Sequence, residues 1–387
     1  ACVGLVGKPP VTEPQPPCEV AIVGAGLCGL ALAHSLQVRG VDWRLFEARD
    51  RLGGRIRTAR AAAHGAPLDL GPSWFWPDTQ PSMARLVADL GLQTVAQPDD
   101  GRVRLLDDPN RAPRDVAAPT TGGLHAGAQR LAGGMAALVQ ALAERLPASR
   151  VQCGAVLAGL ARDGAQLRLR FADGGTLAAG RVVLALPPRL AAQLAFDPPL
   201  PPEQVDALQS APTWMATAAK AAVALPQAPW REEPHRGNAW VTHLQAVLAE
   251  TWDAGTAQAP ALAGFVALGA DVRAQYRRGL PKLIDSQLTM LFGSAAGDGE
   301  LHLADWAEEP FTCGTRDRAE DGVRPNHQAY GEARLRQPAW EGRLWFGGSE
   351  TATRGGGYLE GALNAAARLR REVCEAVFAA RTVAACP

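Results

Sequence analysis

Lysine is scarce in this chain of 387 residues: of 39 basic residues only Lys8, Lys220 and Lys282 are lysines, and the rest are arginines. A coding bias toward alanine, arginine, glycine and proline explains the skew as a whole, yet it makes each retained lysine worth a question. Net charge is missing too. Lys+Arg and Asp+Glu stand at 39 each, which removes the electrostatic footprint of a nucleic-acid binder and leaves no polybasic membrane patch. No charge-free apolar run of about 20 residues, the length that spans a bilayer, occurs outside a glycine-rich segment near Val20–Val38. Neither nucleic acid nor a membrane is therefore an expected partner. The seven cysteines (Cys2, Cys18, Cys28, Cys153, Cys313, Cys374, Cys386) are odd in number, widely spaced and without a CxxC. They imply neither a disulfide framework nor a zinc site, and a reducing, cytoplasmic location is expected. The histidines show no metal spacing, and no GxSxG marks a nucleophile. The first twenty residues lack the charged start and apolar stretch of a signal peptide. A beginning at Ala1 fits loss of an initiator Met or of a longer leader.

What remains is a globular composition, 47% hydrophobic, with length for two or three domain-sized units. Residues 1–17 are proline-rich and read as a flexible arm. Glu19-Val20-Ala21-Ile22-Val23 then reads as a strand, Gly24-Ala25-Gly26-Leu27-Cys28-Gly29 as a glycine turn, and LALAHSLQVRG as a helix ending at Gly40. Asp42-Trp43-Arg44-Leu45-Phe46 reads as a second strand closed by Glu47. This is a βαβ unit in about thirty residues. Gly24, Gly26 and Gly29 match GxGxxG in the context that gives the pattern meaning. The first glycine allows the tight turn, the second lets backbone approach a pyrophosphate, and the third lets helix pack on strand. Glu47 lies 18 residues after Gly29, where a carboxylate accepts hydrogen bonds from ribose hydroxyls. A dinucleotide is the expected ligand. Further along, 94–128 reads as polar loop, GGMAALVQALAERL and PKLIDSQLTMLFG as helices, and VLAGLARDG, LRLRFADG, VVLALPP, AAKAAVAL, ALAGFVAL and RLWFGG as strands. The long helix YLEGALNAAARLRREVCEAVFAA closes the chain.

After Glu47 the chain runs Ala48-Arg49-Asp50-Arg51-Leu52-Gly53-Gly54-Arg55. The stretch EARDRLGGRIRT resembles the second FAD signature of the flavin-containing amine oxidase family, in its bacterial branch. LDLGPSWFWP, GGMAALVQALAERL with AVLAGL, the stretch PTWMATAAKAAVALPQAPWREE, and LRQPAWEGRLWFGGSETATRGGGYLEGALNAAAR are similar to further segments of that family, in its order. The resemblance implies an α/β fold: a Rossmann-like FAD-binding domain of the glutathione-reductase type with an interleaved α+β substrate domain. Segments 18–78, 130–210 and 312–380 would form the first, and 79–129 with 211–311 the second. It also implies FAD contacts at Gly24, Gly26, Gly29, Glu47, Ala48, Arg49, Gly54, Arg55, Ser73, Trp74, Val156, Glu350 and Leu359. Glu350 is placed near the ribityl–phosphate region and Val156 at the adenine.

Two residues are implied in the chemistry. Lys220 would hold a water beside the flavin N5, although a lysine in an apolar strand also reads as an edge residue reaching solvent. Tyr358 would be one wall of an aromatic cage that orients the amine, although it also reads as a residue packing helix onto sheet. Two departures stand out. Thr315 falls where covalently flavinylated members carry cysteine, with Cys313 two positions off, so FAD is expected to be non-covalent. Arg316 falls where a second cage tyrosine would be, and either faces solvent or meets an anionic substrate group. The expected reaction is oxidation of a small-molecule amine to an imine, with molecular oxygen as acceptor and hydrogen peroxide released. A flavin enzyme acting on C–C bonds, or a flavin carrier without amine oxidase activity, are the alternatives. A short insert before GGMAALV leaves room for a homodimer to close the pocket.

Overall fold

The computed structural model describes residues 16–118, 124–323 and 327–384. Most of the expected arm, with Lys8 and Cys2, lies outside them, as does Cys386. Strand β1 (Cys18–Val23) has Val20, Ala21 and Ile22 fully buried, as a central parallel strand covered on both faces must be. Strand β2 (Trp43–Phe46) lies parallel on one side of it and the strand Thr176–Leu184 on the other. The strand Leu344–Phe346 joins Thr176–Leu184 in parallel, and Val151–Gln152 extends the far side of β2. The antiparallel strands Leu157–Asp163 and Gln166–Phe171 complete most of this eight-stranded sheet. Helix α1 (Leu27–Val38) and the C-terminal helix Leu359–Ala384 bury Leu30, Leu32, Leu36, Leu369 and Val373 in one core. That burial explains why α1 carries little polar sequence.

A second, seven-stranded sheet is built from segments within residues 102–117 and 219–305. It runs from Glu300–Asp305 through Ala219–Ala224, Ala261–Val266, Leu248–Asp253 and Ala239–Val241 to Arg102–Leu106 and Arg114–Ala117. The last two correct the reading of 94–128 as loop, as does the short strand Thr94–Ala96 paired with Gln129–Leu131. These strands are short and polar, and in Arg102–Leu106 only Val103 and Leu106 are buried. Arg102–Leu106 and Arg114–Ala117 pair with each other, and a partner far away in sequence joins them to the sheet, with Trp240 opposite Leu105. The helix Pro81–Asp89 starts just past the expected boundary at 79. It buries Met83 and Val87 in the core of the eight-stranded sheet's helices, and Glu360 on the C-terminal helix accepts the Ser82 and Met83 amides. Among the described residues no helix is long and apolar enough to cross a membrane.

Candidate active site

A cavity of about 620 Å³ takes its lining from both sheets and from the Gly71–Trp76 connection. The glycine turn is the first part of its wall. Gly24 sits at φ +101°, and a Cβ there would lie 2.4 Å from the Ala185 carbonyl oxygen. A Cβ on Gly29 would lie 2.0 Å from the Gly24 carbonyl oxygen. Gly29 thus sits beneath the turn and seats α1 on β1 without touching the cavity. Gly26 does line it, caps α1 with no side chain, and has open space beside its Cα. Unpaired amides of a first helical turn, together with the helix dipole, make such a place attractive to phosphate.

Glu47 ends β2 buried, with Oε2 accepting the Ala25 amide at 2.9 Å and Oε1 the Arg49 amide at 3.0 Å. The carboxylate is thereby aimed along the turn rather than into solvent. Ala48, Arg49, Gly54, Arg55, Val156 and Leu359 line the same cavity. Arg49 is steadied by Glu309 at 3.1 Å and the Thr312 hydroxyl at 2.7 Å. Arg55 meets Glu350 in two contacts, Nη1–Oε1 at 2.6 Å and Nη2–Oε2 at 3.0 Å. Burial alone would raise the Glu350 carboxyl, but the Arg55 guanidinium and its hydrogen bonds hold it below its ordinary value. Glu350 is fully buried behind Arg55 and does not line the cavity. Its neighbours Gly348 and Ser349 do line the cavity.

Lys220 occupies another part of the lining. Its strand is second from the sheet edge, with Phe265 opposite on one side and Ala304 on the other. The side chain is 2% exposed, so the solvent-reaching edge lysine is ruled out. Nζ donates to the Gly71 carbonyl at 2.9 Å and to the Ser73 hydroxyl at 2.5 Å. The rings of Trp252, Phe265 and Trp74 surround it, with centroids at 5.0, 5.8 and 6.0 Å. Burial in this apolar setting brings the ammonium down to about 8, with the Asp69 and Glu250 charges opposing the shift. Trp74 is itself fixed, its indole N–H donating to Gln97 at 3.0 Å and its face lying 4.2 Å from the His125 ring.

Tyr358 lines the cavity and is 38% exposed, at the start of the C-terminal helix. Trp214 lies near it, ring centroids 6.2 Å apart. Arg316 stands on the short helix Thr315–Ala319, exposed, with Nε on Glu320 at 3.0 Å. It faces solvent. Thr315 is exposed as well, and neither it nor Cys313 lines the cavity. His327 and Tyr330, which carry no functional signal in the sequence beyond the glycine run before Tyr358, pack around Trp214 and Tyr358. The sequence shows no metal spacing, yet the fold brings Asp115, Glu233 and His235 within ligating reach of one another. Arg104 already pairs with Asp115 at 3.0 Å, and the His235 Nδ1 accepts the Gly237 amide at 3.1 Å.

A sequence profile described as flavin containing amine oxidoreductase matches residues 27–122 and 119–374. The chain belongs to that family. Its relatives include a Mycobacterium tuberculosis protein named as a flavin-containing monoamine oxidase, 29% identical over 94% of this chain and 98% of that one. Amine oxidase [flavin-containing] B of Sus scrofa is 25% identical over 93% of this chain and 86% of its own length. Among solved structures, a putrescine oxidase bound to putrescine superimposes with TM-score 0.76 at 21% identity, covering 94% of this chain and all of that one. As a family member the chain is a flavin-dependent oxidoreductase with an α/β, Rossmann-like fold.

Proposed function

We propose that this family member binds FAD without a covalent link, oxidises an amine, and passes the electrons to molecular oxygen with release of hydrogen peroxide. The observation that carries this reading is the buried Lys220, set among aromatic rings in the same cavity that the glycine turn and Glu47 line. The residues fit a dinucleotide. Gly26 leaves open space at an uncapped helix start, Glu47 is a buried acceptor at the end of β2, and Arg55 is held at the cavity wall by Glu350. Glu47 would hold ribose hydroxyls, the α1 amides and Arg55 the diphosphate, and Val156 the adenine. The exposed Thr315 leaves no thiol at the attachment position. In this reading segments 18–78, 130–210 and 312–380 serve the cofactor, and 79–129 with 211–311 the substrate.

Flavin supplies the two-electron acceptor when bound. The chain's own contribution is to desolvate and place the amine. An amine reacts in its neutral form, because a protonated nitrogen has no lone pair to assist the breaking C–H bond. Lys220 measures how strongly this cavity favours neutrality, since burial brings its own primary ammonium from 10.5 to about 8. The same apolar lining would push a bound amine in the same direction. Trp74, Trp214 and Tyr358 exclude water from it, and Lys220 Nζ, anchored by Ser73 and Gly71, offers a proton or holds a water there.

The test is an anaerobic panel of amines with flavin absorbance as readout, followed by admission of air and a peroxide assay. Bleaching by an amine and peroxide on reoxidation support the proposal. Bleaching without peroxide removes oxygen as acceptor. No bleaching by any amine sinks the reading in favour of C–C oxidation or a flavin carrier.

A further inference from the structure

The rings of Trp214 and Tyr358 face one cavity but come from segments 144 residues apart. What holds them in register is a third ring. The His327 imidazole lies 4.0 Å from the Tyr358 ring, nearly parallel at 13°, and 4.0 Å from the Trp214 ring at 42°. His327 does not itself line the cavity. Its Nδ1 lies 2.7 Å from the Gly356 carbonyl oxygen. A carbonyl only accepts, so Nδ1 carries the proton and the ring plane is fixed by that bond.

The glycine run makes the arrangement possible. A Cβ on Gly356 would lie 2.4 Å from the Tyr330 Cβ, and one on Gly357, at φ +82°, would lie 2.9 Å from the Trp214 ring. Both close approaches require glycine. Tyr330 backs the group, its centroid 6.5 Å from both His327 and Trp214. The Trp214 backbone is tied at the other end, its N–H donating to Glu350 at 3.2 Å and its carbonyl accepting from Arg55 at 3.1 Å. The backbone of Trp214 is thus held by the ion pair and its ring by His327.

We propose that His327 is a positioning residue: wedged between Trp214 and Tyr358, it sets the orientation in which these two rings receive the amine. This rests on the amine-oxidising reading of the cavity. Stacked aromatic pairs correspond to a factor of roughly 2 to 10 in an equilibrium constant, and that is the scale of the expected effect. His327→Ala should raise KM for benzylamine by ~2- to ~10-fold with kcat little changed. His327→Phe keeps a flat ring and should restore KM. Near-UV circular dichroism supplies a readout independent of turnover: His327→Ala should lose the band that Trp214→Phe also loses, and His327→Phe should keep it. Wild-type KM and wild-type dichroism in His327→Ala would overturn the proposal, as would a His327→Phe enzyme as impaired as His327→Ala. Should His327→Ala fail to fold, His327→Leu fills the space without a flat ring and takes its place, with the same two outcomes deciding. A wild-type protein that oxidises no amine defeats the functional reading, whereas an active wild type with unaffected ring variants defeats this inference alone.

Discussion

Arg55 and Glu350, 295 residues apart in sequence, meet in a two-point ion pair at 2.6 and 3.0 Å. The pair joins the segment after β2 to the segment before the C-terminal helix, and Trp214 hangs from it through both its backbone groups. Removing one partner of a buried pair strands the other charge, which costs ~3–5 kcal/mol. Arg55 borders the cavity, so Glu350→Ala should fall near the lower end, visible as a drop in Tm together with weaker flavin retention. The pH dependence follows from the lowered carboxyl. A group whose folded value lies below its unfolded value, ~4.3 for glutamate, contributes fully above that pH and loses its contribution as pH falls through the folded value. The Tm gap between wild type and Glu350→Gln should therefore close in acid; a gap that persists unchanged to pH 2 would argue against the pair as its source.

Glu47→Ala should leave the fold intact and weaken FAD binding. A ribose hydroxyl that loses a charged acceptor forfeits ~1.5–3 kcal/mol, roughly ten- to a hundred-fold in affinity. The Ala25 and Arg49 amides also lose their acceptor, which disorders the turn that α1 begins from. Reconstitution of apoprotein followed by flavin fluorescence measures this. Wild-type affinity in a folded variant would mean that Glu47 serves the turn alone.

Acid precipitation should leave the flavin in the supernatant. Thr315 is exposed and Cys313 stands apart from the cavity lining. Cys28 does line it, but burial raises that thiol to about 11 and its sulfur takes the Gly348 amide. A yellow pellet would place a covalent bond somewhere in the chain.

The parts of the site legible in the sequence are those whose partners are local. Gly24, Gly26 and Glu47 belong to one βαβ unit, so spacing alone brings them to one turn. Lys220 stood out through scarcity and through an apolar strand that is incompatible with an unpaired charge. The Arg55–Glu350 pair is not legible in the sequence, because its partners lie at opposite ends of the chain and no local pattern announces a pair of that span. His327 shows no metal spacing in the sequence, and its contacts are with two rings that only tertiary packing delivers. The strands between residues 94 and 117 were missed for the same kind of reason. Their alternation is weak; Arg102–Leu106 and Arg114–Ala117 pair with each other, but they are tied into the sheet only through residues 239–241, and Thr94–Ala96 pairs with residues 129–131.

Lys220 gives the most discriminating experiment. Its folded value, about 8, lies below the unfolded lysine value of ~10.4. Below pH 8 the group is charged in both states, and the cost of burying that charge is fully present. Between 8 and ~10.4 the unfolded chain binds the extra proton, so wild-type apoprotein gains stability as pH rises. Met at this position keeps the volume and removes the titration. Lys220→Met should therefore lack that rise, and the Tm difference between the two proteins should shift in favour of wild type from pH 7 to pH 10. Met also leaves the Gly71 carbonyl and the Ser73 hydroxyl without a donor, an offset that does not vary with pH, so the slope of the difference reports the titration. In the holoenzyme the same variant should keep FAD, while reduced flavin should be reoxidised by oxygen more slowly and without the inflection near pH 8 expected of wild type. Stopped-flow absorbance follows the two half-reactions separately, with dithionite as reductant where amine is slow. Reoxidation at the wild-type rate across that range would remove Lys220 from the oxygen step, and slowing confined to amine reduction would assign it to the substrate pocket.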